Sequence, residues 1–278
     1  GEACINKVLP RKSFLARRAV GKTGEIQIIA ANIDVAFIVQ AISNNFNVNR
    51  LERYLAICHS TGIEPVLVLS KIDLVAEDEI SNAINELERR GRLVKHILLS
   101  NTTRSGFDRL LDLIQNGKTY CVIGSSGVGK STLINNLLQR EVLKTGEISR
   151  STNKGRHVTE HRELFILENG GIIIDTPGMK ELGMTDIEDG VRTTFREIAD
   201  LAGKCRFPDC SHISEAGCAV LEALENGTLD RGEYENYLKM QREQEHFHTT
   251  IAEKRKKDKQ FGKLIRQYYK IKNLRDPE

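Results

Sequence analysis

Gly124, Ser125, Ser126, Gly127, Val128, Gly129, Lys130 and Ser131 fit the pattern G-x-x-x-x-G-K-[ST] at every fixed position. The glycines let consecutive backbone N–H groups close around phosphate oxygens, and the helix that starts next turns its positive dipole end toward the same anion. Lys130 then reaches the β- and γ-phosphates of a nucleotide, and the Ser131 hydroxyl, with Thr132 beside it, stands where Mg²⁺ is ligated. An apolar run at Tyr120 to Ile123 precedes the loop and Leu133, Leu137 and Leu138 follow on one helical side. That is the strand-loop-helix setting a phosphate cradle needs.

Three other groupings carry chemistry. Asp175-Thr176-Pro177-Gly178 closes a second apolar run, where an aspartate can hold Mg²⁺ through water and the Gly178 N–H can meet a γ-phosphate. Alone it reads equally as a turn; downstream of a phosphate loop it reads as a nucleotide switch. Ser70-Lys71-Ile72-Asp73 also follows an apolar run. A carboxylate there can accept the donor pair that guanine presents at N1 and its 2-amino group and adenine lacks, although lysine-x-aspartate alone is a common pattern. Finally, Cys205, Cys210, His212 and Cys218 in the spacing C-x4-C-x-H-x5-C supply the four ligands of a closed, structural Zn²⁺ site with no position left for catalysis. Cys4, Cys58 and Cys121 lie outside it, and Cys121 reads as a small buried hydrophobe.

The elements that must position these groups follow an α/β rhythm. Strands are expected at 35–39, 64–69, 95–99 and just before the phosphate loop, with helices at 49–61, 77–90 and 107–114 between them. Such alternation implies a parallel sheet. Two strands at 163–167 and 171–174 come next, then a helix over 185–201 with Val191, Phe195, Ile198 and Leu201 in register, and helices at 219–225 and 231–247. The polar stretch 149–159 reads as a long loop.

The chain has 278 residues, of which 28% are charged and 40% hydrophobic, and a net charge of +3. No apolar run approaches the roughly 20 residues needed to cross a bilayer, and no signal-peptide pattern opens the chain, so a cytoplasmic protein is the expectation. In that compartment the cysteine cluster favours metal over disulfides. Positive charge is concentrated at the ends. Lys7, Arg11, Lys12, Arg17, Arg18 and Lys22 form a basic loop that either contacts phosphates or is simply solvated. The stretch 253–272 sets Phe261, Leu264, Ile265 and Tyr268 on one helical face, which suits either a docked solvated helix or RNA.

With base-reading candidates standing before the phosphate loop, the chain resembles the circularly permuted GTPases that assist maturation of the small ribosomal subunit. The resemblance covers nearly everything from Pro10 onward. It implies an α/β P-loop GTPase fold in permuted order at 32–184, a mostly helical zinc-binding domain at 185–278, and at 1–31 a remnant of an N-terminal OB-type barrel, most of which is expected to be absent. It implies that Lys71 and Asp73 read guanine with Ser70 alongside, that Ser100 and Asn101 form the second base loop, that Gly155 to Thr159 is the first switch and that Asp175 to Gly178 is the second. Mg²⁺ would be held by Ser131, Thr159 and Asp175.

Three positions are chemically distinctive. Ser70 stands where the family usually has Asn or Thr, leaving a hydroxyl to brace the loop. Val158 replaces a common threonine, so the switch contact falls to Thr159. Met179 occupies the place of a water-orienting Gln, and a thioether cannot orient water in that way. Slow intrinsic turnover is therefore expected, with acceleration by a partner. His157 can orient the attacking water if the loop is pressed inward; it can equally contact RNA or cap the loop. The catalytic set is thus Lys130, Thr159 and His157, with GTP or GDP, Mg²⁺ and one Zn²⁺ as cofactors. The partners expected are the small subunit and its rRNA, for a monomer with no membrane association. A generic P-loop ATPase and an RNA-binding module with structural nucleotide are the alternatives.

Overall fold

The computed structural model describes residues 4–18, 26–43, 46–92, 94–143, 163–175 and 187–246, with Glu253, Lys256 and Lys259 as isolated helical positions. Phe14–Arg18 (β1) and Ile26–Ala31 (β2) pair antiparallel in a small sheet of their own. Val35–Ala41 (β3), Glu64–Ser70 (β4), His96–Leu99 (β5), Thr119–Ile123 (β6), Glu163–Ile166 (β7) and Ile172–Asp175 (β8) make a six-stranded sheet in the order β5-β4-β3-β6-β8-β7. All its neighbours run parallel except β7, which returns antiparallel along β8.

The central strand β3 is buried at every position, as a strand covered on both faces must be. Alternate side chains go to opposite layers. Ala36 and Ile38, with Leu67, Leu69, Cys121 and Ile123, face the helix Val48–Ser60 (α1); Val35, Phe37 and Val39, with Val66, Val68, Tyr120 and Val122, face Phe107–Leu113 (α3) and Lys130–Leu138 (α4). Glu77–Arg89 (α2) closes the first layer through Ala83 and Leu87. In the second layer the rings of Phe37 and Tyr120 stack at 5.3 Å, a geometry that adds to plain area burial.

Among the described residues, helices Glu188–Thr194 (α5), Arg196–Ala202 (α6), Ala219–Glu225 (α7) and 231–246 (α8) follow. Val191, Phe195, Ile198, Val220, Tyr237 and Met240 join the same apolar cluster as Leu51, Leu55 and Cys58 of α1. Beside that cluster lies a buried polar network. The fully buried Glu52 carboxylate accepts from Arg90 Nη1 at 3.3 Å, Arg92 Nε at 3.1 Å and Asn236 Nδ2 at 2.6 Å. Arg92 also donates to Glu233 at 2.6 Å, and Arg53 makes a bidentate pair with Glu243 at 2.6 and 2.8 Å. Apolar packing and paired charges therefore bind α1 and α2 to α8 together.

Two expectations change. The helix expected over 185–201 is two helices, broken at Phe195, whose backbone leaves the helical region at φ −105°, ψ 48°. The break lets the fully buried Phe195 ring meet Tyr237 edge-on at 5.6 Å with the Arg92 guanidinium 5.0 Å from its centroid. Arg17 and Arg18, expected in a basic loop, lie in β1 opposite Gln27 and Ile26. Residues 4–11, which include part of an apolar run, carry no strand.

Candidate functional site

Because β3, β4 and β6 run parallel, their C-terminal ends share one edge of the sheet: Ala41 lies beside Ser70, and Ile38 beside Ile123. The chain connects outward in opposite senses from β3 and β6, and the crevice at such a reversal is where open α/β sheets bind ligands. The phosphate loop and the loop after β4 emerge there, and the loop after β5 joins them through a hydrogen bond to the phosphate loop.

The phosphate loop is pressed tightly onto that edge. Gly124 has φ +148°, and a Cβ there would stand 2.3 Å from the Val39 carbonyl oxygen; Gly129 has φ +96°, and a Cβ would stand 2.7 Å from Asn101 Nδ2. Only glycine meets both the backbone and the space requirement. Lys130 Nζ donates to the carbonyls of Gly124 at 2.9 Å and Ser125 at 2.6 Å, so the ammonium lies across the loop's own backbone. Ser131 and Thr132 follow in the first turn of α4, whose N-cap is Gly129.

The base-loop candidates bond directly to this cradle. Ser70 Oγ, fully buried, donates to Val128 O at 2.8 Å, with Gln40 O further away at 3.3 Å. Its hydroxyl thereby ties the end of β4 to the phosphate loop. Lys71 adopts a left-handed backbone at φ +61°, which turns the chain out of β4 into a single 3-10 turn, Ile72–Leu74, that carries Asp73 exposed. In the loop after β5, the buried Ser100 accepts at Oγ from the backbone N–H groups of Thr102 and Thr103 at 3.2 and 3.0 Å. Asn101 Nδ2 donates to Gly129 O at 3.1 Å.

Asp175 ends β8, one residue beyond Ile174, which pairs with Cys121 of β6. Its carboxylate is thereby on the strand next to the one that feeds the phosphate loop. His157, Val158, Thr159, Gly178 and Met179 lie outside the described residues.

Two residues at this edge carried no recognised motif. Asn136 of α4 donates from Nδ2 to Asn101 O at 3.1 Å and Oδ1 at 3.4 Å. Arg50 of α1 donates from Nη1 to Ser125 Oγ at 3.1 Å. Asn47 caps the same helix by accepting from the Arg50 backbone N–H at 2.8 Å and is itself held by Gln40. Only the cap had a readable signal, an asparagine just before a helical stripe.

A second centre lies at α6, α7 and the loop between them. Cys205, Cys210, His212 and Cys218 bring their ligand atoms within 4.8 Å of one another, an arrangement that could hold a metal ion. His212 takes φ +62°, and its carbonyl accepts from the Tyr234 hydroxyl at 2.7 Å. Burial, against the opposing pull of Glu215, holds the His212 imidazole below its ordinary value, which favours the neutral form a ligand needs. Desolvation works against the Cys205 thiolate, yet the backbone N–H groups of Ala219 and Val220 and the neighbouring thiols bring the thiol below its ordinary value, while Cys210 is pushed up to about 11. Like charges this close cannot all form without a cation among them. Glu215 accepts from the N–H groups of Ser211, Ile213 and Ser214 at 2.8, 3.0 and 3.0 Å and from the Ser211 hydroxyl, clasping the loop that carries His212.

A profile of the RsgA GTPase family matches residues 8–185. The chain belongs to the RsgA GTPase family. An ABC transporter profile also matches, over residues 111–268, a span that takes in the phosphate loop but not the loops at Ser70 and Ser100 that bond to it. Among RsgA relatives, the small ribosomal subunit biogenesis GTPase RsgA 2 of Vibrio parahaemolyticus is 43% identical over 97% of this chain and 75% of its own length. The crystal structure of YjeQ from Thermotoga maritima superposes with a TM-score of 0.62 at 30% identity, covering 88% of this chain and 78% of that one. YloQ, described as a circularly permuted GTPase, gives 0.59 at 26% identity over 87% and 83%. As an RsgA GTPase the chain hydrolyses GTP, with guanine nucleotide and Mg²⁺ bound for the purpose. Among the described residues no helix is long and apolar enough to cross a membrane.

Proposed function

We propose that this chain is a GTPase whose turnover is stimulated by the small ribosomal subunit, acting in that particle's late maturation in the cytoplasm and touching its rRNA. The observation that carries the site assignment is the pair of bonds from Ser70 to Val128 O and from Asn101 to Gly129 O. They draw the two base loops onto the phosphate loop despite their inverted order in the chain. Asp73 and Lys71 would then face the guanine, with the loop of Ser100 and Asn101 closing over it. Gly124 to Gly129, with Ser131 and Thr132, would wrap the phosphates, and Lys130 would swing from its carbonyl partners onto the β- and γ-oxygens. Ser131, Asp175 and Thr159 would hold Mg²⁺, which neutralises charge on the transferred phosphoryl group. Gly178 would donate to the γ-phosphate, and His157 would orient the attacking water when the bound subunit presses the first switch inward.

Zn²⁺ is the metal we assign to Cys205, Cys210, His212 and Cys218. Tetrahedral Zn²⁺ with its usual bond lengths sets sulfur atoms about 3.8 Å apart and sulfur from nitrogen about 3.6 Å. The Cys205–Cys218 distance is 3.8 Å, and His212 Nδ1 stands 3.6 and 3.5 Å from those sulfurs. Residues 32–184 form the GTPase domain in this reading, 185–278 the zinc-binding domain, and 1–31 part of an N-terminal barrel.

GTP turnover measured with and without purified small subunits tests the proposal, repeated for Asp73→Asn with xanthosine triphosphate. Stimulation by subunits, and a switch of preference toward xanthosine in the variant, are expected. Unchanged preference in Asp73→Asn would remove that residue from base recognition, and turnover indifferent to subunits would remove the partner.

A further inference from the structure

We propose that Asn136, on the helix that follows the phosphate loop, is a positioning residue for guanine: it locks the base loop and so sets how long the nucleotide stays bound. This rests on the guanine-site reading above and assigns a role to a residue outside every motif in it.

The geometry is a closed triangle. Asn136 Nδ2 donates to the Asn101 carbonyl at 3.1 Å and to its Oδ1 at 3.4 Å; Asn101 Nδ2 donates to Gly129 O at 3.1 Å. Gly129 is the N-cap of α4, and Asn136 lies two turns further along the same helix. One rigid helix thus holds the base loop at two points, by its first carbonyl and by a side chain. Each amide group of Asn101 has a partner on α4 or its cap, so the side chain anchors the loop to that helix. Close packing leaves this contact little slack, because a Cβ on Gly129 would collide with Asn101 Nδ2. Ser70 fixes the other base loop to Val128 O, one residue before Gly129. Binding phosphate and closing on the base are therefore linked through α4, and Asn136 is the side of the triangle that no backbone carbonyl can replace.

A base loop released from α4 has to be ordered by the nucleotide itself, and that cost shortens residence. Loss of one such hydrogen bond corresponds to about a tenfold change in rate. For Asn136→Ala we expect GDP to dissociate roughly tenfold faster, read by displacement of a fluorescent GDP. Asn136→Asp keeps size and helix but sets an oxygen against the Asn101 carbonyl, so it should match or exceed the alanine effect; it also guards against a fold defect. Binding of inorganic tripolyphosphate, which has no base, should stay at the wild-type value in both, along with the melting temperature. Dissociation within twofold of wild type in both variants overturns the proposal. So does a parallel loss of tripolyphosphate binding or of melting temperature, because Asn136 would then be supporting the fold at large. Failure of the wild-type chain to hold GDP at all would sink the guanine-site reading instead.

Discussion

Replacing Glu52 by alanine tests the idea that buried charge fastens the C-terminal helices, beside the Cys/His cluster, to the nucleotide-binding sheet. The Glu52 carboxylate is fully buried and accepts from Arg90, Arg92 and Asn236, and both arginine side chains are 7% exposed. Breaking a buried ion pair by removing one partner costs about 3–5 kcal/mol, because the surviving charge is left without compensation. Here the survivors keep other partners. Arg90 retains Asn49 Oδ1 at 2.9 Å and Asp230 at 3.1 Å, and Arg92 retains Glu233 and the Thr194 carbonyl. The lower end, about 3 kcal/mol, is therefore expected. For a chain of this size each kcal/mol moves the midpoint by about 2–4 °C, so Glu52→Ala should melt about 6–12 °C below wild type. Glu52→Gln keeps an acceptor and the shape and should lose less. Differential scanning calorimetry on both, with urea unfolding as a second measure, decides it. A loss in Glu52→Ala below about 1 kcal/mol would refute the reasoning, since it would mean the arginines find water or new partners at little cost.

Gly129→Ala would need left-handed backbone and a Cβ 2.7 Å from Asn101 Nδ2, so nucleotide affinity should fall by at least about tenfold in a fluorescent-GDP titration, and wild-type affinity would refute the packing argument. Cys218→Ser should lose bound metal by elemental analysis and lower the melting midpoint as far as chelation does in wild type; a further drop when chelator is added to the variant would show the cluster is not the metal's seat. His59 is held below its ordinary value, first by burial and second by Arg92, and its Nδ1 lies 3.0 Å from Thr194 Oγ1. Its stabilising contribution is complete above the unfolded value of about 6.5 and is lost as the pH falls through that value toward the lower folded one. Stability of His59→Asn should thus fall less steeply than wild type between about pH 7 and pH 5, and an identical slope in urea unfolding would exclude the residue.

The phosphate loop was legible because each of its residues answers a local demand: glycine where φ is positive, lysine for charge, serine for a hydroxyl. The parallel sheet was legible because β3 and β4 are apolar runs too short for helices. The cluster of Cys205, Cys210, His212 and Cys218, which could hold a metal ion, stood out by type and spacing. Asn136 and Arg50 did not, since their partners are remote in sequence and a polar residue on a helix leaves no periodic trace. The break at Phe195 was hidden for the opposite reason: it sits on the same stripe as Val191 and Ile198, and that periodicity carries no mark of the backbone turn that brings its ring to Tyr237. Arg17 and Arg18 misled because paired charges look like a loop, whereas antiparallel pairing with β2 needs only their backbone. His157, Thr159 and Gly178, expected in the switches, lie outside the described residues.

The pairing of Val35 in β3 with Tyr120 in β6 also sets a timetable. During synthesis β3, α1, β4, α2 and β5 are all made before β6, and these five can associate side by side as soon as they appear. β3 is then an edge strand with one flank open until β6 arrives to fill it. A nascent chain of this kind makes the loops after β4 and β5 first and gains the phosphate loop and helix that fasten them only in one late pairing step.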